Sequence, residues 1–132
     1  MKISPADKYF SLCVREAHNN TCETCGKVGR MEASHVYSRR HRTIRWDVMN
    51  IMCQCNGCHR VWHSSPLASF AWFESTYGAG RVELLREKMN SKVKVPKLEE
   101  KEIAKHYREQ LKIIEQKRAS GVTGVIEFES YQ

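Results

Sequence analysis

No stretch of this 132-residue chain reaches the ~18 consecutive apolar residues that a membrane-spanning helix needs, and no lipidation motif is present. No membrane partner is therefore expected. Internal repeats and low-complexity tracts are missing too, so the chain reads as one domain, or as a small core with an appendage. No secretory leader precedes the six cysteines, which makes a reducing compartment, and hence the cytoplasm, the expected location. Negative charge is also scarce: 15 Asp and Glu face 22 Lys and Arg, giving a net charge of +7 and a pI near 9.2. The shortage is sharpest in the middle of the chain. There Lys27, Arg30, Arg39, Arg40, Arg42, Arg45 and Arg60 stand against Glu23, Glu32 and Asp47. A solvated charged face would mix its signs. This arginine-rich cluster suits bidentate contact with phosphate, so nucleic acid is the expected partner, with Arg39, Arg40, Arg42 and Arg45 as candidate DNA contacts.

What the chain does have is two metal-binding patterns interleaved between Cys22 and His63. The first is Cys22-x-x-Cys25 with Cys55-x-x-Cys58. Each knuckle offers two thiolates about one tetrahedral edge apart, and two knuckles close a four-sulfur cage suited to structural Zn²⁺. Cys53 stands close enough to replace Cys55, although both cannot easily serve one knuckle. Cys53 and Cys13 otherwise read as buried apolar thiols. In a segment too short to bury much apolar surface, metal binding supplies folding free energy, so chelation should unfold it.

The second pattern is His35, Asn50, His59 and His63, with successive steps of 15, 9 and 4 residues. His59 and His63, at i and i+4, project from one face if the chain turns helical after Cys58, and can then share a cation. Over residues 20–64 the sequence resembles the HNH nuclease family. The resemblance implies a ββα-metal fold with a histidine on the first strand, an asparagine before the second and histidine ligands on the helix. It implies His35 as general base for water, Asn50 as the brace that orients His35, and His59 and His63 as holders of one catalytic divalent cation. Ser34 departs from the family pattern, which often has a third ligand there. Ser34 itself, water, His41 or phosphate oxygens are the alternatives. Two imidazoles favour transition metals, whereas abundance and phosphate chemistry favour Mg²⁺, so Mg²⁺ or Mn²⁺ is expected. Further phrases (Phe10 to Glu16, Ala33-Ser-His35 with Arg39 and Arg40, Ile44 to Asp47 and Gln54-Cys55) are similar to the NinG (Rap) recombination proteins of lambdoid phages, a family described as acting on branched DNA. That resemblance implies a phage origin and the cytoplasm of the host cell.

In chain order, Ser4, Pro5 and Asp7 open a helix whose stripe of Tyr9, Phe10, Cys13, Val14 and Ala17 runs to Asn19-Asn20. Short strands are expected over 30–36 and 48–54, with a basic loop over 38–45 between them. A helix carrying His59 and His63 follows, broken near Ser64-Ser65-Pro66. Ser65 caps a second helix to Tyr77, with Leu67, Phe70, Ala71, Phe73 and Tyr77 as its apolar face. Residues 81–89 make a third, with Val82, Leu84, Leu85 and Met89 inside, and 92–96 an extended connector. A long helix over 98–118 carries the stripe Ile103, Tyr107, Leu111 and Ile114, which packs on the core or, alternatively, forms a homodimer interface. From Gly121 the chain reads as a loosely held tail in which 125–128 can add an edge strand.

The expected organisation is α+β: an N-terminal helix (1–20), an HNH ββα-metal core with zinc knuckles (21–64), a helical extension (65–91), then connector, long helix and tail (92–132). The expected function is metal-dependent DNA endonuclease, acting in recombination on branched DNA. The alternative is a non-catalytic zinc-ribbon DNA-binding protein, for which the four cysteines and the basic loop suffice.

Overall fold

A computed structural model describes residues 2–131. Among these residues the chain forms five α-helices and one two-stranded antiparallel sheet, an α+β arrangement. Helix α1 (Pro5–Ala17) begins with a capping box: the Ser4 hydroxyl accepts from the Asp7 N–H, and the Asp7 carboxylate accepts from the Ser4 N–H at 2.9 Å. It ends where Asn19 and Asn20 both turn to φ 51°, a left-handed geometry that asparagine tolerates. Strands β1 (Glu32–His35) and β2 (Ile51–Gln54) pair in the register His35 with Ile51 and Ala33 with Cys53. The expected second strand is shortened because Val48–Asn50 coils into a 3-10 turn, capped by the Asp47 carboxylate on the Met49 N–H at 2.8 Å.

Helix α2 (Asn56–Ser64) follows β2 directly, then come α3 (Pro66–Tyr77), α4 (Ala79–Met89) and α5 (Glu99–Ala119). The period-two alternation of β2 feeds two apolar clusters on opposite sides of the sheet. Ile51 and Cys53 join α1 and α5 through Phe10, Val14, Ile103 and Tyr107. Met52 joins α2, α3 and α4 through Trp62, Phe73, Val82 and Leu85. The α5 stripe is buried within the chain: Tyr107 stacks 4.8 Å from Phe10, and the Cys13 thiol donates to the Tyr107 carbonyl at 3.1 Å. Arg118 caps the C-terminal end of α1 by donating to the carbonyls of Glu16 and Ala17.

Three expectations about this frame are corrected. Ser65 makes no side-chain cap; its N–H instead closes α2 onto the Val61 carbonyl at 2.9 Å, so α2 runs straight into α3. Leu67 and Leu84 are exposed, at 88% and 38%, and Ala71 is exposed as well, because α3 and α4 present only the Phe73 and Val82–Leu85 sides to the core. The tail is tied down without forming a strand: Ile126 is buried and its N–H donates to the Ala17 carbonyl, while Tyr131 donates to Glu99. No helix among the described residues is long and apolar enough to cross a membrane.

Candidate functional site

The first knuckle is a tight hairpin closed by the Cys22 N–H on the Lys27 carbonyl and the Gly26 N–H on the Cys22 carbonyl, with Gly26 at φ 78° where a side chain would be strained. Glu23 sews it to β2, since its N–H donates to the Cys53 carbonyl at 2.8 Å and its carboxylate accepts from the Cys53 N–H at 2.6 Å. Gln54 adds a bond to Thr24. The second knuckle is the start of α2: Cys55 is its N-cap, and the Cys55 sulfur accepts from the Cys58 N–H at 3.5 Å.

These elements bring the sulfurs of Cys22, Cys25, Cys55 and Cys58 within 4.8 Å of one another. Cys25 and Cys55 stand 3.7 Å apart, against about 3.8 Å for the edge of a tetrahedron with metal–sulfur bonds of 2.3 Å. The four cysteines could therefore hold a metal ion such as zinc. Burial opposes ionisation of Cys22, but N–H groups of Cys25, Cys55 and Thr24 outweigh it and bring the thiol down to about 6, whereas burial and the neighbouring sulfurs push the Cys58 thiol up, so without a metal the negative charge gathers on one sulfur of the cluster. Cys53 lends the cage its backbone and not its sulfur. Its thiol, like that of Cys13, is wholly buried and pushed up to about 12 by desolvation.

His35, His59 and His63 line one open groove of about 870 Å³, which is lined also by residues of α1, of β1 and of the basic loop. His35 Nε2 lies 2.8 Å from the Arg45 carbonyl. A carbonyl only accepts, so Nε2 carries the proton and Nδ1 is left as the basic atom. Burial is the main reason that His35 is brought down to about 4, with the Arg39 charge adding to it and the Arg45 carbonyl opposing. The imidazole is neutral at pH 7.

Asn50 is fully buried and ties both ends of the basic loop: Oδ1 accepts from the Tyr37 N–H at 2.8 Å, and Nδ2 donates to the carbonyls of Tyr37 and Ile44, each at 3.0 Å. The next carbonyls are also held, Arg45 by His35 and Trp46 by the Tyr107 hydroxyl. Three successive peptide groups beside His35 are thus fixed by Asn50, His35 and Tyr107.

On α2, His59 Nε2 and His63 Nε2 are 3.0 Å apart, about the edge of an octahedron with 2.1 Å metal–nitrogen bonds. His59 Nδ1 lies 2.7 Å from the Glu32 carboxylate, which fixes its proton on Nδ1 and turns the Nε2 lone pair towards His63. The bonds from His59 and Asn56 hold Glu32 below the usual carboxylate range. At this spacing the two Nε2 atoms could share one divalent cation, with Glu32 holding the far nitrogen of His59 and not itself a ligand. Ser34 and His41 are not among the groove-lining residues. Ser34 is fully buried on the same face of β1 as Glu32, and its hydroxyl has no hydrogen-bond partner.

The arginines divide. Arg39 and Arg40 line the groove. Arg45 does not fit the expected phosphate contact, because it is buried and its guanidinium donates twice to Asp7, at 3.0 and 2.6 Å. Arg42 is paired with Glu100 at 2.7 Å and donates to the Val95 carbonyl, but it stays part-exposed at 30%. Sequence reading missed Glu32, whose role depends on pairing between β1 and α2, and Lys8, Ser11 and Arg15, which line the groove from α1. Asp7 was legible as a helix-start carboxylate but not as the partner of Arg45 and of the Trp46 indole N–H, 3.0 Å away. No family model, no curated protein and no solved structure matches the chain.

Proposed function

We propose that this protein is a metal-dependent DNA endonuclease with an HNH-type core, stabilised by zinc in the four-cysteine cage. The observation that carries the reading is the meeting of His35, His59 and His63 in one groove that is also lined by Lys8, Arg15, Arg39 and Arg40. The order of parts supports it: a histidine on β1, a bracing asparagine before β2, and two histidines on the helix that follows, as in the ββα-metal arrangement of HNH nucleases. The similarity to NinG proteins extends the proposal to branched DNA and to recombination.

In this reading His35 Nδ1 accepts the proton of the attacking water, and the bond to Arg45 and the Asn50 brace keep that atom aimed. Arg39 and Arg40 grip phosphates beside the scissile bond. Glu32 keeps His59 in the tautomer that can ligate. A Mg²⁺ or Mn²⁺ ion held by His59 and His63 supplies charge stabilisation for the phosphate and the leaving oxygen. With Ser34 and His41 outside the groove, water and phosphate oxygens would have to supply the remaining ligands. The absence of a third protein ligand there favours a second reading, a zinc-ribbon protein that binds DNA without cutting it.

One experiment separates the two. Linear duplex and four-way-junction DNAs are incubated with wild type and His35→Ala, with Mg²⁺ or Mn²⁺ and with EDTA as control. The nuclease reading expects cleavage by wild type and a loss of about 10²-fold or more in a variant that keeps its zinc and fold. Preference for the junction supports the recombination role. Binding without metal-dependent cleavage of either DNA overturns the nuclease reading in favour of the second.

A further inference from the structure

Part of the groove lining belongs to α1, a helix that precedes β1, β2 and α2. Lys8, Ser11 and Arg15 line it. Their spacing of three and four residues puts them on one stripe, while Phe10, Cys13, Val14 and Ala17 turn the other side of α1 into the core. Lys8 is exposed, and Arg15 has its Nε on the Ser11 carbonyl at 3.3 Å, which lays the guanidinium along the helix face. Among the described residues that line the groove, Asp7 is the sole acid, and it is neutralised by the two bonds from Arg45. Apart from Glu32, which is held on the far nitrogen of His59, the charges that remain at the groove are cations: Lys8 and Arg15 from α1, Arg39 and Arg40 from the basic loop.

We infer that α1 is a phosphate-binding track that carries a DNA strand away from the histidines, its Lys8, Ser11 and Arg15 meeting backbone phosphates of one strand. The stripe spans about 10 Å at a rise of 1.5 Å per residue, or roughly three nucleotide steps along the axis of one strand. Ser11 adds a neutral hydroxyl between the two cations, a group able to donate to a phosphate oxygen. Contacts of this kind carry no base information, so the substrate class is a polynucleotide backbone of several nucleotides rather than a mononucleotide or dinucleotide. The inference rests on the proposed DNA reading of the groove, but not on catalysis.

The test is fluorescence-anisotropy binding of a labelled duplex of about 20 base pairs, without added divalent cation, over roughly 50 to 200 mM salt. Wild type is compared with the double variant Lys8→Gln, Arg15→Gln and with the charge-matched control Lys101→Gln, Lys112→Gln on the exposed side of α5. Circular dichroism and zinc content check the fold. The track predicts that the Lys8, Arg15 pair lowers affinity about tenfold or more and reduces the slope of log affinity against log salt by about 2, while the control leaves both near wild type. Wild-type affinity and slope in the double variant, or an equal loss in the control, overturn it. Cleavage is assayed on the same DNA with Mn²⁺. A wild type that cuts, beside a double variant that binds normally, removes the track and keeps the nuclease. A wild type that does not cut, beside a double variant that has lost affinity and slope, keeps the track and removes the nuclease.

Discussion

Arg45 faces two ways: its carbonyl accepts from His35 Nε2 at 2.8 Å, and its guanidinium grips the Asp7 carboxylate at 2.6 Å. The orientation of the candidate base therefore depends on a helix that lies outside the ββα core.

Removing Asp7 tests this dependence. Asp7→Ala leaves the Arg45 charge buried without a partner and frees the Trp46 indole N–H, and should cost about 3–5 kcal/mol of stability, read from urea unfolding. In the nuclease reading, cleavage also slows at temperatures where the variant stays folded, because the carbonyl that holds His35 is no longer fixed.

Stability should fall with acidity in two stages. His35 is held at about 4 against an ordinary value of 6.5, so between these the unfolded chain binds a proton that the folded chain refuses. Stability from this group is full above about pH 6.5 and is lost as pH falls towards 4, by up to roughly 3 kcal/mol at about 1.4 kcal/mol per unit. Asp7 lies below its usual 3.8: burial opposes its ionisation, but Arg45 and Ser4 outweigh it. Its contribution is present above that value and is lost only below it. Urea midpoints of wild type and His35→Gln measured between about pH 4.5 and 7 should converge as pH falls. Parallel curves would refute the assignment.

The cage should behave as part of the fold. One zinc per chain is expected by elemental analysis, with loss of helical circular dichroism on chelation. Cys25→Ser should lose the metal, whereas Cys13→Ala and Cys53→Ala should retain it, because their sulfurs lie outside the cluster.

In the nuclease reading, Glu32 offers a test of the proposed cation position on α2. Glu32→Gln removes the carboxylate that fixes the proton of His59 and, in that reading, should raise the Mn²⁺ concentration needed for half-maximal cleavage about 10–100-fold. Stability should change little, because Glu32 is only half-buried. An unchanged Mn²⁺ requirement would mean that His59 needs no orienting partner.

The start of α1 and the two cysteine knuckles were legible in the sequence because their determinants are local. Ser4, Pro5 and Asp7 carry the α1 cap within four residues, and each knuckle is two cysteines three apart. The i, i+4 relation of His59 and His63 is likewise internal to one helix. What was not legible depends on residues far apart in the chain. Arg45 and Arg42 read as surface cations until Asp7 and Glu100 were found beside them. The exposure of Leu67 was hidden for the same reason, since apolar character does not say which side of α3 meets Trp62 and Met52. Residues 125–128 read as able to add an edge strand, but they join no sheet; the bonds from Ile126 to Ala17 and from Tyr131 to Glu99 hold the tail instead, and both partners lie far away in the chain.

The overlap of the second knuckle with the first turn of α2 has a geometric consequence. A helix is a screw of about 100° per residue, and Cys55 and Cys58, clamped to the first knuckle, set its zero mark. His59 and His63 inherit their bearing from that mark. A single alanine inserted after Cys58 would leave all four sulfurs where they are and swing both imidazoles about 100° round the axis, out of line with His35 and Glu32. The cage is in this sense an indexing device: it tells the groove which way its helix faces.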